Sequence, residues 1–565
     1  MKGAFAAFLG DVEGARDLVD AAERRGLVSV DLQPGRVIFA SEAMPLQRAS
    51  GGAVILGDCF TRYPATGRAP KNCWGSYVAF TAESGALGVE RAALTGMPVY
   101  WCRHPAGLAC ASDPALLLAP HAPVAIDWEF VGSTLAYINL RTERTGLVGV
   151  HELVAGTGIK FDGRSICVAS TWSPWHYVAR PTSPRLVDIA PELAKRIIDC
   201  TAAWSASRHD IILELSGGLD SSIVAAALRA ADSDFSAITF ATPEAEGDER
   251  HFARAVASRC GIGLTEVVHD DAAIDLVSLP DALTVRPAAY SVLGGLDRAF
   301  VEHVSDRSRP IFGGIGGDSV FHLSTTVAPI LDVWSSWGWS RRTFAALRDV
   351  ARASDATIWE AARLSWRAHR AGPRMGWRRD TAYLNPAALP ETPFAHPWDE
   401  GEGTVSQAKR NQAESIRRIL DFLDRPRRWE GRDVVSPLLS QPVVELCLSI
   451  PSGSWFSGGR NRAVARAAFA DRLPPQVVWR KGKGRMEALC AAAYMRQRAQ
   501  LRELLLGGIL AQRGLLDAQA IEAYLERDLT EGDFDYFRLI EIGDVERWLR
   551  VVEPGVAAGS SLAQR

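Results

Sequence analysis

The chain predicts a mixed α/β and α+β architecture: an antiparallel layered part first, then a mainly parallel sheet flanked by helices, then a helical C-terminal part. Three observations carry this. Short alternating runs broken by Gly, Pro and Asp fill the chain to about residue 175. From Val187 helix-type and strand-type segments alternate, the pattern of a parallel sheet with crossover helices. Beyond about residue 330 the pattern is mostly helical.

In the first part GSYVAFTA, VYWCR and LACASD read as hairpin strands. ARPTSPRL, polar and twice interrupted by proline, reads as a linker. VDIAPELAKRIIDCTAAW is an amphipathic helix, HDIILEL a buried strand and SSIVAAALRAA a helix. SAITFA is a strand, and DERHFARAVASRC a helix closed by Gly261. LTEVVH and RPIFGG complete the strand set, and WSSWGWSRRTFAALRDVARA opens the helical part. Three units follow: 1–180, 187–550, and a loose tail over 551–565.

Composition removes several classes. The 565 residues are 47% hydrophobic and 23% charged, with a net charge of −3. That balance provides no general basic field for nucleic acid, so no nucleic-acid partner is expected. Basic residues gather locally instead, in RPRRWEGR and WRKGKGR. No apolar run reaches membrane-spanning length and no signal peptide opens the sequence, so a cytoplasmic location is expected. Nine scattered cysteines without a CxxC pair argue for reduced thiols rather than a disulfide frame or zinc ribbon. HExxH, GxSxG and the Walker GxxxxGK[ST] pattern are all missing.

The chemistry is concentrated in LELSGGLDSS, between a buried strand and a helix. In Ser216-Gly217-Gly218-Leu219-Asp220-Ser221-Ser222 the glycines let backbone approach an anion closely. The N–H groups opening the helix, and its dipole, favour negative charge there. Serine hydroxyls add donors. A carboxylate in such a loop repels bare phosphate, so Asp220 is assigned to Mg²⁺ bridging phosphate oxygens.

SGGLDSS resembles the PP-loop of the asparagine-synthetase-type ATP pyrophosphatases. Such enzymes split ATP between its α and β phosphates and pass AMP to a carboxylate. Ile311-Phe312-Gly313-Gly314-Ile315-Gly316-Gly317-Asp318 resembles their second Gly-rich loop, whose aspartate binds metal. The resemblance implies that Asp318 joins Asp220 on Mg²⁺, and that Leu215, Thr239, Gly313 and Gly314 help form the adenylate pocket. Gly247-Asp248-Glu249 opens the next helix as in the family, and its acids read as helix N-terminal charge. SPLLSQPVVELCLSIP and GGRNRAVARAAFADRLPPQVVWRKGKGR resemble the family's C-terminal pattern, in which a lysine reaches the active site. Lys483 aligns best and Lys481 second. A fixed cation there stabilises charge building on phosphate and carbonyl oxygens. Alone, KGKGR would read as a solvated basic run.

WGSYVAF, VERAALTGMPVYW and ACASDPALLL resemble the family's N-terminal glutaminase layers, implying an Ntn-hydrolase-like domain. The sequence opens Met1-Lys2-Gly3 and its first cysteine is Cys59, so that domain is expected to lack glutaminase activity. Ile315 stands where asparagine synthetases carry Glu and β-lactam synthetases Tyr, leaving the amine's base unidentified. With AHPWDEGEG, the C-terminal runs resemble lasso-peptide macrolactam synthetases most. The resemblance spans essentially the whole chain, most strongly 211–322 and 394–487. It implies adenylation of an Asp or Glu side chain in a core peptide, attack by the peptide's N-terminal amine, and release of AMP and pyrophosphate. The implied cofactors are ATP and Mg²⁺. The implied partners are the lasso precursor and core peptide, the leader peptidase and a leader-recognition protein. The alternatives are a β-lactam-type small-molecule amide synthetase, an inactive scaffold, and glutamine-dependent asparagine synthesis.

Overall fold

The structure is a computed structural model describing residues 3–49, 51–61, 73–83, 86–118, 125–182, 185–242, 247–269, 271–280, 283–287, 290–372, 374, 376–401, 403, 405–423, 427–482, 487–530 and 532–562. The alternating N-terminal runs form two six-stranded sheets, every pairing antiparallel. In one, Phe5–Gly10 lies between Gly107–Ala111 and Arg36–Ala40. In the other, Cys73–Glu83 lies between Ala53–Thr61 and Ala86–Arg91. Phe5, Leu9 and Ile38 of the first meet Val54, Val78, Phe80 and Val89 of the second in a shared apolar core. Period-two alternation requires this: each strand has one apolar face, and two such faces bury each other.

The second architecture is a five-stranded, all-parallel sheet. Its strands are β1 (Ile211–Glu214), β2 (Phe235–Ala241), β3 (Leu264–Val268), β4 (Ile311–Gly313) and β5 (Val434–Val435), in the order β3-β2-β1-β4-β5. Helix α1 (Leu186–Ser205) leads in, α2 (Leu219–Ala230) follows β1, and α3 (Arg250–Cys260) follows β2. Gly261 closes α3 at φ +66°. Strand order reverses at β1, so the crossovers leaving β1 and β4 part to opposite sides, which places a crevice at the carboxyl ends of these two strands.

Helical segments then complete the chain. The short α4 (Gly317–Val320) follows β4. Helices α5 (Ala328–Trp337), α6 (Arg341–Ala353) and α7 (Ile358–Ala371) pack on one another. The C-terminal helix runs Tyr536–Leu562, into the stretch read from the sequence as a tail.

Polar bonds join the N-terminal sheets to the rest. Arg208, just after α1, bonds Asp58 at 2.6 Å and Asp433 at 2.8 Å. The Trp172 Nε1–H donates to Glu445 at 3.0 Å. The AHPWDEGEG stretch works here as a joint: Trp398 packs against Trp172, and its carbonyl accepts from Trp175. Glu152, fully buried, binds Arg91 and Arg141 from its own half and Arg286 from the other.

Candidate functional site

The two glycine loops meet at the carboxyl ends of β1 and β4. After Leu215, whose N–H donates to Ile238 at 2.9 Å, the chain turns through Gly217 at φ +71°. A Cβ at Gly217 would sit 2.7 Å from Phe252 Cβ and 2.9 Å from Ala253 N, so both conformation and packing demand glycine. Gly218 then precedes α2, directing the helix's first N–H groups toward the crevice.

The serines divide their work. Ser221 Oγ accepts from the Ser216 N–H at 3.2 Å and lies 3.1 Å from Ser216 Oγ, while Ser222 Oγ donates to the Gly218 carbonyl at 2.7 Å. The Ser222 hydroxyl is fully buried and engaged within the loop, so it staples the turn rather than facing the crevice.

The second loop packs directly onto the first. A Cβ at Gly314 would lie 2.4 Å from Ser221 N, and one at Gly317 2.4 Å from Asp220 Cγ. Gly313 has open space. This contact brings Asp220 and Asp318, 98 positions apart in the numbering, to one point.

What joins them is Arg462, to which the sequence reading assigned no role. One guanidinium nitrogen donates to Asp220 Oδ1 at 3.1 Å, to Asp220 Oδ2 at 3.2 Å, and to Asp318 Oδ1. Arg462 precedes the short helix α8 (Ala463–Ala468) in a left-handed conformation, φ 51°. That geometry is costly for a residue with a Cβ and marks a constrained site residue. Its Nε is buried with no hydrogen-bond partner. The GGRNR string held a signal, since Gly458 and Gly459 both take positive φ before this arginine.

Arg466, one turn along, donates to the Asn461 carbonyl at 2.8 Å and to the carbonyl of Val478. Burial, aided by the charges of Arg462 and Arg460, pushes its guanidinium down to about 10. It thereby ties the Arg462 turn to the stretch that carries the candidate lysines.

The lysines fare differently. Lys483 lies outside the described residues. Lys481 is described, but its ammonium, 76% exposed, pairs with Asp355 at 3.3 Å. The structure therefore does not bring Lys481 to the two carboxylates. Arg480, the residue before it, is anchored by Glu249 and stacks 4.1 Å over Phe252. Glu249 thus serves more than the helix N-terminus, whereas Asp248 binds Arg250 at 2.7 Å and caps its N–H.

Thr239 on β2 is buried, and its hydroxyl has no hydrogen-bond partner. Ile315 is half-buried against the apolar cluster of Phe240 and Phe300.

The donor set suits a magnesium nucleotide. A cation already bridges Asp220 and Asp318, so their oxygens converge on a point that takes positive charge. Among the described residues no cluster of three or more His, Cys, Asp or Glu is arranged to hold a metal. Magnesium needs none, since it keeps one or two carboxylates and completes its shell with water and phosphate oxygens.

Among the described residues no helix is long and apolar enough to cross a membrane. No curated protein matches the chain significantly. The asparagine synthase family model matches residues 192–550, which is more than half of the chain and holds both glycine loops, both carboxylates and Arg462. Members of that family are ATP-dependent, AMP-forming amide ligases. By the extent of this match, the chain belongs to the asparagine synthase family.

Proposed function

We propose that the protein is a lasso-peptide cyclase. It adenylates an Asp or Glu side chain of a core peptide and joins that carboxyl to the peptide's own N-terminal amine, releasing AMP and pyrophosphate. The observation that carries the ATP chemistry is the convergence of Asp220 and Asp318 where two glycine loops touch. The peptide as substrate rests on the likeness of residues 211–322 and 394–487 to macrolactam synthetases. The half-buried, apolar Ile315 in the second loop supports it, because it supplies neither the carboxylate nor the phenol of the related small-molecule and asparagine-forming sites.

In this reading the α2 N–H groups and the Gly217–Gly218 backbone grip the phosphates. Asp220 and Asp318 would hold Mg²⁺, which neutralises charge on the phosphate oxygens. Thr239 and Leu215 face the nucleotide. Arg462 offers a guanidinium beside the two carboxylates. Keeping amine and acyl adenylate together removes the entropy of their encounter, and excluding water protects the adenylate. The lysine of the RKGKG stretch, Lys483 first and Lys481 second, stabilises the oxyanion as the ring closes.

Mass spectrometry tests this. The precursor peptide is incubated with the protein, ATP, Mg²⁺, the leader peptidase and the leader-recognition protein. A core peptide lighter by one water, with AMP rather than ADP, is the expected result. AMP without dehydration would keep the adenylation and remove the peptide as substrate, leaving a small-molecule amide synthetase. Neither product would overturn both.

A further inference from the structure

At the edge of the site, α5, α6 and α7 carry a surface that adenylation does not use. Trp359 is 84% and Trp339 77% exposed, and Trp337 and Trp366 are more than half exposed. Of the remaining tryptophans only Trp479 is exposed. Along this strip Trp334 links the segments, lying against Trp339 and against His369 of α7 at 4.7 Å. Trp339 lies 5.8 Å from Trp334 and 6.4 Å from Phe344, Arg342 sits 3.8 Å over Trp337, and Arg370 sits 5.2 Å over Trp366.

The strip is positively charged on a chain that is negative overall. Residues 334–371 contain seven arginines, all exposed, and three acids, a net charge of +4 against −3 for the whole chain. Each acid is engaged internally. Asp349 accepts from the Gly458 N–H at 3.1 Å, Asp355 pairs with Lys481 at 3.3 Å, and Glu360 closes the capping box of α7. Two of these contacts join the helices to the site's own segments, Gly458 just before Arg462 and Lys481 in the RKGKG stretch.

On α7, Trp359, Arg363, Trp366 and Arg370 follow one another at spacings of four, three and four, so indoles and guanidiniums interleave on one outer face. A helix lying in a bilayer surface separates its aromatic side from its basic side. Here, sinking the indoles would drag the guanidiniums down with them. Interleaved Trp and Arg instead have the composition of protein–protein hot spots. A guanidinium stacked on an indole keeps its edge donors for a carboxylate.

We propose that the outer face of α5–α7 docks an acidic polypeptide segment of a partner protein. Its carboxylates meet the arginines, and its apolar side chains lie against Trp339, Trp359 and Trp366. This inference is independent of the adenylation chemistry.

The test measures fluorescence anisotropy of a fluorescein-labelled glutamate–tyrosine copolymer added to the full chain. Polyglutamate of equal length and vesicles of phosphatidylglycerol in phosphatidylcholine serve as comparisons. The copolymer should bind at least about tenfold more tightly than polyglutamate, and Trp359→Ala/Trp366→Ala and Arg363→Glu/Arg370→Glu should each weaken it about tenfold or more. All four side chains are exposed, so thermal unfolding should be unchanged. Failure of the copolymer to bind, or equal binding to wild type and both variants, overturns the proposal. Equal affinity for polyglutamate overturns the aromatic half of it. Vesicle binding lost in the variants, without copolymer binding, would make this face a lipid contact instead.

Discussion

Replacing Arg462 with methionine isolates the cation that holds the two glycine loops together. Its guanidinium bridges Asp220 and Asp318, with side chains only 12%, 13% and 35% exposed for Arg462, Asp220 and Asp318. Removal deletes charge-assisted hydrogen bonds worth about 1.5–3 kcal/mol each in favourable settings, and leaves two carboxylates facing one another. Partial exposure of Asp318 reduces the loss. We expect a net destabilisation of about 2 kcal/mol. Over the family-matched part of the chain, that corresponds to a melting point lower by about 2–3 °C. The diagnostic feature is rescue: Mg²⁺ should restore most of the loss in Arg462→Met, because an ion can take the vacated place, while shifting wild type less. Differential scanning calorimetry with Mg²⁺ or EDTA reads both effects. An unchanged melting point, or a loss that Mg²⁺ leaves untouched, would refute the view that Arg462 and a metal compete for the same oxygens.

Three further perturbations bear on the site and its support. Gly317→Ala places a Cβ 2.4 Å from Asp220 Cγ and must displace that carboxylate, so AMP formation should fall about 100-fold; near-normal turnover would remove Asp220 from the reaction. Lys481→Ala breaks an exposed ion pair worth under about 1 kcal/mol and should leave ring closure within about threefold, whereas Lys483→Ala should abolish most of it; the reverse order, measured by product mass spectrometry, would exchange the two assignments. Lys409 is fully buried, and burial pushes its ammonium down to about 7. Since that lies below the unfolded value, unfolding takes up a proton between the two, and stability rises with pH. The gain from pH 7 to 9 should be about 2 kcal/mol, and Lys409→Met should lose it in urea titrations; an identical slope in the variant would show that Lys409 stays charged.

The strands around the crevice were readable from local patterns: β1 and β4 are buried apolar runs leading into glycine loops, and β2 and β3 are short β-branched runs alternating with helix-type segments. Thus HDIILEL, SAITFA, LTEVVH and RPIFGG coincide with β1 to β4. The two-residue β5 went unread, since Val434–Val435 has no periodicity of its own and exists only by pairing with β4. Within the site, Asp220 and Asp318 could be singled out because each ends a glycine-rich string. Arg462 could not, because its role follows from a backbone turn and from packing across 242 positions of sequence. Ser222 shows the converse: a serine beside a phosphate-type loop reads as a donor to ligand, yet its hydroxyl closes the loop's own backbone.

The buried carboxylate of Glu152 has a consequence for the chain's history. Its arginines come from both halves, Arg91 and Arg141 from one and Arg286 from the other. Separating the halves would take Glu152 from Arg286, leaving it only the more distant Asp421 at 3.8 Å, and Asp58 from Arg208, with the apolar flank of Trp204 opened to water. A lost partner in a buried ion cluster costs several kcal/mol, comparable to a domain's whole margin of stability. The antiparallel layers therefore need no chemistry of their own to persist. Selection can keep the layers for this interface alone, independently of any reaction in them.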